Sequence, residues 1–417
     1  MRLAHDHTHL DRPPGTRPAR LLRRLGLALA AALALSSVQG LAPSSRADAA
    51  APERQPTANV HFNNPLGSSA EQRRLLTQLI RAVDRAPARS TLRMAVFSFG
   101  DPETADAVIA AHRRGVRVKI VFAGNHTYPA MARIMDALGS DTSARSFAVQ
   151  CDASCRGSRG QMHAKYFSFG HTGERRWVTM VGSVNVTRHN AEQQWSDLYT
   201  VADDRRYYRA YLPWFKQLKE DVPLDEPYVR RSVPGNQIDF TPLAVSTARP
   251  DPVLRALDNV RCEVTKADID PGAKHPDRVV ATRLLIGAYA WNGDRGKQIA
   301  WKVAHMQAAG CRTKVFFGDG IGGAVRSILA HHGVALRESA DGKVTTHEKL
   351  MIVHGAVGDH ARTTWAWTGS HNWSSRALRR DDLIVRITDE RVGLRYRAGF
   401  LRMWDRGKVV GAGSAGG

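Results

Sequence analysis

Apolar residues at Leu75, Leu76, Leu79, Ile80 and Val83 recur at the spacing of one helix face. The run that follows, TLRMAVFSF at 91–99, is apolar and β-rich, and predicts a strand. A helical stretch comes next, then a second strand-like run, RGVRVKIVF at 114–122. The same order returns in the second half of the chain. TRLLIGAYA at 282–290 leads through a helical stretch to AGCRTKVFF at 309–317. Strands alternating with helices predict α/β layers built on a sheet. Residues 221–243 are rich in proline and charge with little periodicity, which places a linker there. The glycine-rich tail from Gly411 is expected to be disordered.

The duplication extends into polar motifs. QMHAKYFSFG at 161–170 carries His163 and Lys165, and TTHEKLMIVH at 345–354 carries His347 and Lys349. Side chains two apart on a strand share a face, so each histidine is expected to project beside its lysine. Tyr166, Phe167 and Phe169 are expected to fill the core beside the strand. After the first pair comes Gly182-Ser183-Val184-Asn185, and after the second Gly369-Ser370-His371-Asn372. Further on, Ser196-Asp197-Leu198-Tyr199 echoes Asp381-Asp382-Leu383-Ile384. Two lobes are therefore predicted, 50–230 and 231–417, related by a pseudo-two-fold axis.

Composition changes the picture in three ways. Lys and Arg total 60 against 39 Asp and Glu, a formal charge of +21, which favours anionic partners such as nucleic acid, acidic lipid surfaces or phosphate-rich polymers. At the N-terminus Arg17, Arg20, Arg23 and Arg24 precede an apolar run from Leu25 to Leu35, too short to span a bilayer. With Ala47-Asp48-Ala49 as a small-x-small cleavage site, residues 1–49 read as an export signal. Arg23-Arg24 matches a twin-arginine signal only weakly, and His5, His7 and His9 fall in the segment expected to be removed. Export in turn decides how the cysteines are read. Cys151–Cys155 and Cys262–Cys311 are the preferred pairings, with a zinc site disfavoured because the spacing lacks two close pairs.

Two copies of a histidine–lysine pair suit one reaction in particular. In-line displacement at a phosphodiester needs a nucleophile on one side of phosphorus and an acid for the leaving oxygen on the other. Paired lysines and asparagines can hold the negative equatorial oxygens. One half of the chain supplies half of this set.

His-x-Lys followed by Gly-Ser-x-Asn, twice in one chain, resembles the phospholipase D superfamily across nearly all of the sequence after the signal. The resemblance implies a bilobal α/β fold, each lobe a mixed sheet flanked by helices, with both motifs meeting at one site. It implies a covalent phosphohistidine intermediate, no cofactor and no metal. His163 is then the nucleophile and His347 the general acid, with Lys165, Lys349, Asn185 and Asn372 binding phosphate and Ser183 and Ser370 assisting. It implies that Asp197 and Asp382 each hydrogen-bond the histidine of their own motif. The sequence departs from the commonest family pattern in having Gly170 and His354 where an aspartate follows the lysine. A secreted, monomeric phospholipase D acting on lipid head groups at a membrane surface, by hydrolysis or transfer, is the leading expectation. A nuclease on DNA or RNA and a non-catalytic binding protein are the alternatives. Trp195, Trp365, Trp367 and Trp373 are expected chiefly as packing residues, although they could line a lipid or base pocket. His331, His332 and His354 are expected on the surface or in packing.

Overall fold

A computed structural model describes residues 58–243 and 251–410. The expected export signal, its histidines and the glycine tail lie outside these residues. The predicted helix over Leu75–Val83 is Arg74–Asp84, with Leu75, Leu76, Leu79 and Val83 buried. The four predicted strands appear as Thr91–Val96, Arg117–Ala123, Arg283–Trp291 and Arg312–Ile321.

Two sheets carry the fold, and they repeat one plan. In the first, Thr91–Val96 runs parallel to Arg117–Ala123, which runs parallel to Phe147–Cys151. On its other side Thr91–Val96 pairs antiparallel with Lys165–Thr172, followed by Arg175–Gly182 and Asp197–Val201, also antiparallel. In the second, Arg283–Trp291 takes the place of Thr91–Val96, parallel to Arg312–Ile321 and Ala335–Ser339. Lys349–Val357, His360–Gly369 and Leu383–Ile387 then follow antiparallel. Helices Pro102–Arg113 and Gly293–Ala308 make the crossovers that the parallel pairs require.

The central strands are predominantly apolar because both of their faces are covered. Tyr166 enters a core shared by both lobes, while Phe167 and Phe169 enter the first lobe's own core. Likewise Leu350 and Ile352 join the shared core, and Met351 and Val353 the second lobe's own. Residues of both sheets therefore pack into one interior, together with helices Leu212–Glu220 and Glu390–Asp405.

The linker expectation is corrected. Within 221–243 lies a hairpin, Val229–Val233 against Asn236–Phe240, and the latter strand pairs with Leu383–Ile387 to extend the second sheet. Pro234-Gly235 forms the turn, with Gly235 at φ +73°, a conformation that glycine adopts without strain. Charge hid the strands from a periodicity reading, but Arg230 pairs with Asp239 at 2.7 Å across the hairpin. The change of sheet thus precedes Val229 and not residue 231.

Both expected disulfides are present, Cys151–Cys155 and Cys262–Cys311. The second closes a loop with a sequence separation of 49, for which loop-closure entropy gives about 4 kcal/mol. The Cys262→Ala/Cys311→Ala variant is expected to lose stability of that order in denaturant unfolding, and a loss under about 1 kcal/mol would show that the unfolded chain gains little freedom.

Candidate active site

Each histidine sits just ahead of its strand, not within it. The strands begin at Lys165 and Lys349, and the residues before them pair in parallel with the opposite lobe. His163 N–H donates to the Asp381 carbonyl (2.9 Å), and His347 N–H donates to the Trp195 carbonyl (2.8 Å). Each lobe's histidine is thus held by the other lobe's backbone. Lys165 Nζ turns back to donate to the His163 carbonyl at 2.6 Å, and Lys349 Nζ does the same to His347.

An aromatic ring floors each pair. His163 packs on Phe97 with ring centroids 4.5 Å apart, and Lys165 Nζ lies 4.9 Å from the same ring. His347 packs on Tyr289 at 4.8 Å, with Lys349 Nζ at 5.0 Å. Phe97 and Tyr289 occupy equivalent positions, each following the residue that pairs with the motif lysine. Sequence reading missed both, although the duplication itself was the signal.

The Gly-Ser-x-Asn turns bring neighbouring strands together. A Cβ at Gly182 would stand 2.3 Å from the Asp197 carbonyl oxygen, and one at Gly369 2.1 Å from that of Leu383, so only glycine fits. The Ser183 hydroxyl accepts from Asp197 N–H (3.0 Å), and that of Ser370 from Leu383 N–H (3.1 Å). The two serines expected to assist at the phosphate thus also tie strand to strand. Asn185 and Asn372 are buried, and their Oδ1 atoms have no hydrogen-bond partner among the described residues.

The expected own-motif aspartate contacts are also corrected. His163 Nδ1 lies 2.8 Å from Oδ1 of Asp382, which belongs to the other lobe. His347 Nδ1 lies 2.8 Å from the Ser183 carbonyl. Asp197 accepts instead from Thr368 Oγ1 (2.6 Å), Tyr396 OH (2.7 Å) and Ser183 N–H (2.9 Å).

Strand register explains the asymmetry. Gly182 pairs with Leu198, and Gly369 with Ile384. Asp197 is therefore equivalent in space to Leu383, and Ser196 to Asp382. The Asp-Leu echo in the sequence is out of step by one residue. That step moves the first-lobe carboxylate to the other side of its strand.

Electrostatics follow from burial of this cation-rich cluster. Burial, with Lys165 beside it, pulls the His163 imidazole down to about 3, against the attraction of Asp382. Burial and then Lys349 and Lys165 hold His347 well below the usual range. Both are neutral at pH 7. Burial alone would raise the Asp382 carboxyl, but His163, His371 and Lys165 outweigh it and keep the group ionised. Burial raises the Glu348 carboxyl well above its usual range, with Asp197 adding to the effect. Burial lowers the Lys349 ammonium to about 7, opposed by Glu348, Asp382 and Asp197.

Lys349 is therefore charged below about pH 7 and increasingly neutral above it. Binding of inorganic phosphate is expected to weaken as pH rises through 7 to 9, more steeply in the wild type than in Lys349→Met. Calorimetric affinities that are flat across this range would sink the assignment.

Some expected residues stand apart. His354 is half-buried well along the strand from Lys349 and hydrogen-bonds Thr364 Oγ1 at 2.8 Å. Five residues of strand place it roughly 17 Å from the lysine. Gly170 lies further along its own strand in the same way. The missing motif acids thus lie outside the histidine cluster. Trp367 and Trp373 are buried in the second lobe's core, Trp195 is buried in the shared core, and partly buried Trp365 packs against the second lobe's core beside Trp367. His331 and His332 sit at a helix end, where His332 packs against exposed Trp301.

Residues 79–219 and 282–404, most of both lobes, match the family model described as cardiolipin synthase, PLD-like domain. The chain belongs to the phospholipase D-like family of phosphodiesterases. Mitochondrial cardiolipin hydrolases of Xenopus tropicalis and Xenopus laevis are each 32% identical to it over 148 residues. That alignment takes in 36% of this chain and 60% of each relative, so the chain spans less than two thirds of the curated relatives it matches. Phosphatidylserine synthase from Haemophilus influenzae superposes with a TM-score of 0.54 at 14% identity, over 84% of this chain and 87% of that one. Polyphosphate kinase from Porphyromonas gingivalis gives 0.53 at 11%, over 85% and 48%. These two likenesses show the phospholipase D-like fold, with its mixed sheets and flanking helices.

Proposed function

We propose that this phospholipase D-like protein is an exported enzyme that cleaves the phosphodiester of phospholipid head groups through a phosphohistidine on His163. The observation carrying this reading is the unequal support of the two imidazoles. Nε2 attack on phosphorus leaves positive charge on the His163 ring, and the Asp382 carboxylate at Nδ1 compensates it. His347 faces only a neutral carbonyl at Nδ1, so its imidazolium is poorly stabilised and gives up its proton readily, as a general acid should.

The steps balance. His163 forms the N–P bond as the P–O bond to the head group breaks, and His347 protonates the departing oxygen. Water then attacks phosphorus, His347 takes its proton, and the P–N bond breaks to release a phosphomonoester. An alcohol in place of water gives transfer. Burial and then the two lysines keep His347 neutral in the free protein, and it takes up a proton from solvent as anionic phosphate enters between Lys165 and Lys349. Asn185 and Asn372 offer amide donors to the equatorial oxygens.

The lipid reading is supported by the family model's description and by the names of the cardiolipin hydrolases and the phosphatidylserine synthase. The formal charge of +21 suits an acidic membrane surface and equally a nucleic acid, which is the second reading.

Vesicles of phosphatidylcholine, phosphatidylglycerol or cardiolipin, incubated with the protein and a chelator, are expected to release head group or, for cardiolipin, phosphatidylglycerol. Release that needs added metal, or that persists in both His163→Ala and His347→Ala, would overturn the mechanism. Turnover of DNA or RNA without lipid turnover would move the substrate to the second reading.

A further inference from the structure

His371 is the variable residue of Gly-Ser-x-Asn, and the steps above make no use of it. It is 2% exposed, and its Nδ1 lies 3.8 Å from Asp382 Oδ2, the oxygen that does not face His163. Both atoms lack a hydrogen-bond partner among the described residues. On its other side, His371 Nε2 lies 2.9 Å from Arg295 Nη2.

Arginine only donates, so Nε2 must accept and the ring proton must sit on Nδ1. That proton faces Asp382. Arg295 has no freedom to turn away. It is 4% exposed, forks onto both oxygens of Asp251, and donates to the carbonyls of Asn372 and Ser374. The guanidinium thus fixes the tautomer of His371 and the path of the motif turn together.

We infer, resting on the proposed role of the His163–Asp382 pair, that His371 is a positioning residue whose Nδ1–H holds the second oxygen of Asp382 as charge develops on His163. At 3.8 Å the contact is longer than a hydrogen bond in the free protein. Contacts of this kind shorten once the reacting charge forms. The backbone side of the seat is completed by Thr241, whose N–H donates to the Asp382 carbonyl (3.0 Å) and whose Oγ1 accepts from Asp382 N–H (3.2 Å).

The groups facing this pair are His163, Lys165 and Lys349 around Asp382, with Arg380 acting on those three, and Arg295, Asp251 and Asp239 around His371. Burial, then Arg295, lowers the His371 imidazole to about 4. It therefore stays a neutral, Nδ1-protonated donor through the physiological range. Without this donor the Asp382 carboxylate holds the His163 imidazolium more strongly, so His163, which protonates before Asp382 on acidification, does so at higher pH.

The test compares His371→Leu with His371→Gln on bis(p-nitrophenyl) phosphate. A glutamine can accept from Arg295 with its oxygen and donate to Asp382 with its nitrogen. The leucine variant is expected to lose kcat by about tenfold to a hundredfold, with KM within about twofold and the acidic limb of the kcat profile moved to higher pH. Glutamine is expected to return kcat to within about threefold of wild type. A leucine variant with wild-type kcat and limb overturns the inference. So does equal loss in both variants with an unmoved limb, which is what a purely structural role gives.

Imidazole ¹⁵N spectra, with His371→Gln supplying the assignment, decide the point without turnover. A neutral Nδ1–H signal at pH 7 is expected, and an Nε2–H or cationic signal overturns the inference. If the wild type turns over no phosphodiester, the reading of the site fails, and the spectra still judge the tautomer.

Discussion

His163→Ala is expected to lower phosphodiester turnover by about ten-thousandfold or more and to abolish covalent labelling. His347→Ala is expected to do the opposite to the label. With a ³²P-labelled p-nitrophenyl phosphodiester, the leaving phenolate needs little protonation, so the first step survives without the acid. The second step needs a base to activate water, and His347 is the group placed to supply it. Phosphorylated His163 should therefore accumulate in His347→Ala, stable to alkali and labile to acid. The structural ground is that, of the two motif histidines, His163 has a carboxylate at Nδ1, Asp382 at 2.8 Å, while His347 has the Ser183 carbonyl. Label trapped in His163→Ala, or found on His347, would reverse the assignment. Absence of label in both variants alongside normal wild-type turnover would point to direct attack by water.

The duplicated plan was legible because each half carries the same chemical phrases on the same alternation of strand and helix. Strands covered on both faces read as apolar runs, and Gly-Ser-x-Asn stands where only glycine lets two strands close. The hairpin at 229–240 escaped because its strands carry charges that neutralise each other across the pairing, as Arg230 and Asp239 do. Register also escaped, since a one-residue slip leaves the local sequence pattern intact while turning every side chain to the other face. That slip decides which carboxylate reaches which histidine. Crossed contacts between lobes, such as His163 with Asp382 or His347 with the Ser183 carbonyl, depend on how the halves meet. Arg295 and Glu348 were unremarkable in sequence for the same reason, because only burial gives them a role.

The two motif aspartates, alike in sequence, are expected to behave differently when each is made asparagine. Asp382→Asn keeps the shape of the side chain and removes the charge that offsets His163. A comparable change behind a catalytic imidazole costs about ten-thousandfold in kcat, and a loss of about a thousandfold or more is expected here with little change in unfolding midpoint. Asp197→Asn touches no histidine side chain. It disturbs a buried set in which Tyr396, Thr368 and the Ser183 N–H all donate to the carboxylate, beside a Glu348 carboxyl that burial raises well above its usual range. Loss of part of that set is expected to cost about 1–3 kcal/mol in stability and to leave kcat within about tenfold. Paired measurement of kcat and unfolding for both variants separates the roles. If Asp197→Asn loses as much kcat as Asp382→Asn while folding normally, the first-lobe carboxylate reaches His347 during turnover, and the register step would not insulate it. If Asp382→Asn stays active, the charge on His163 must be carried elsewhere, and Asp382 would be only a buried partner of Thr241 and His371.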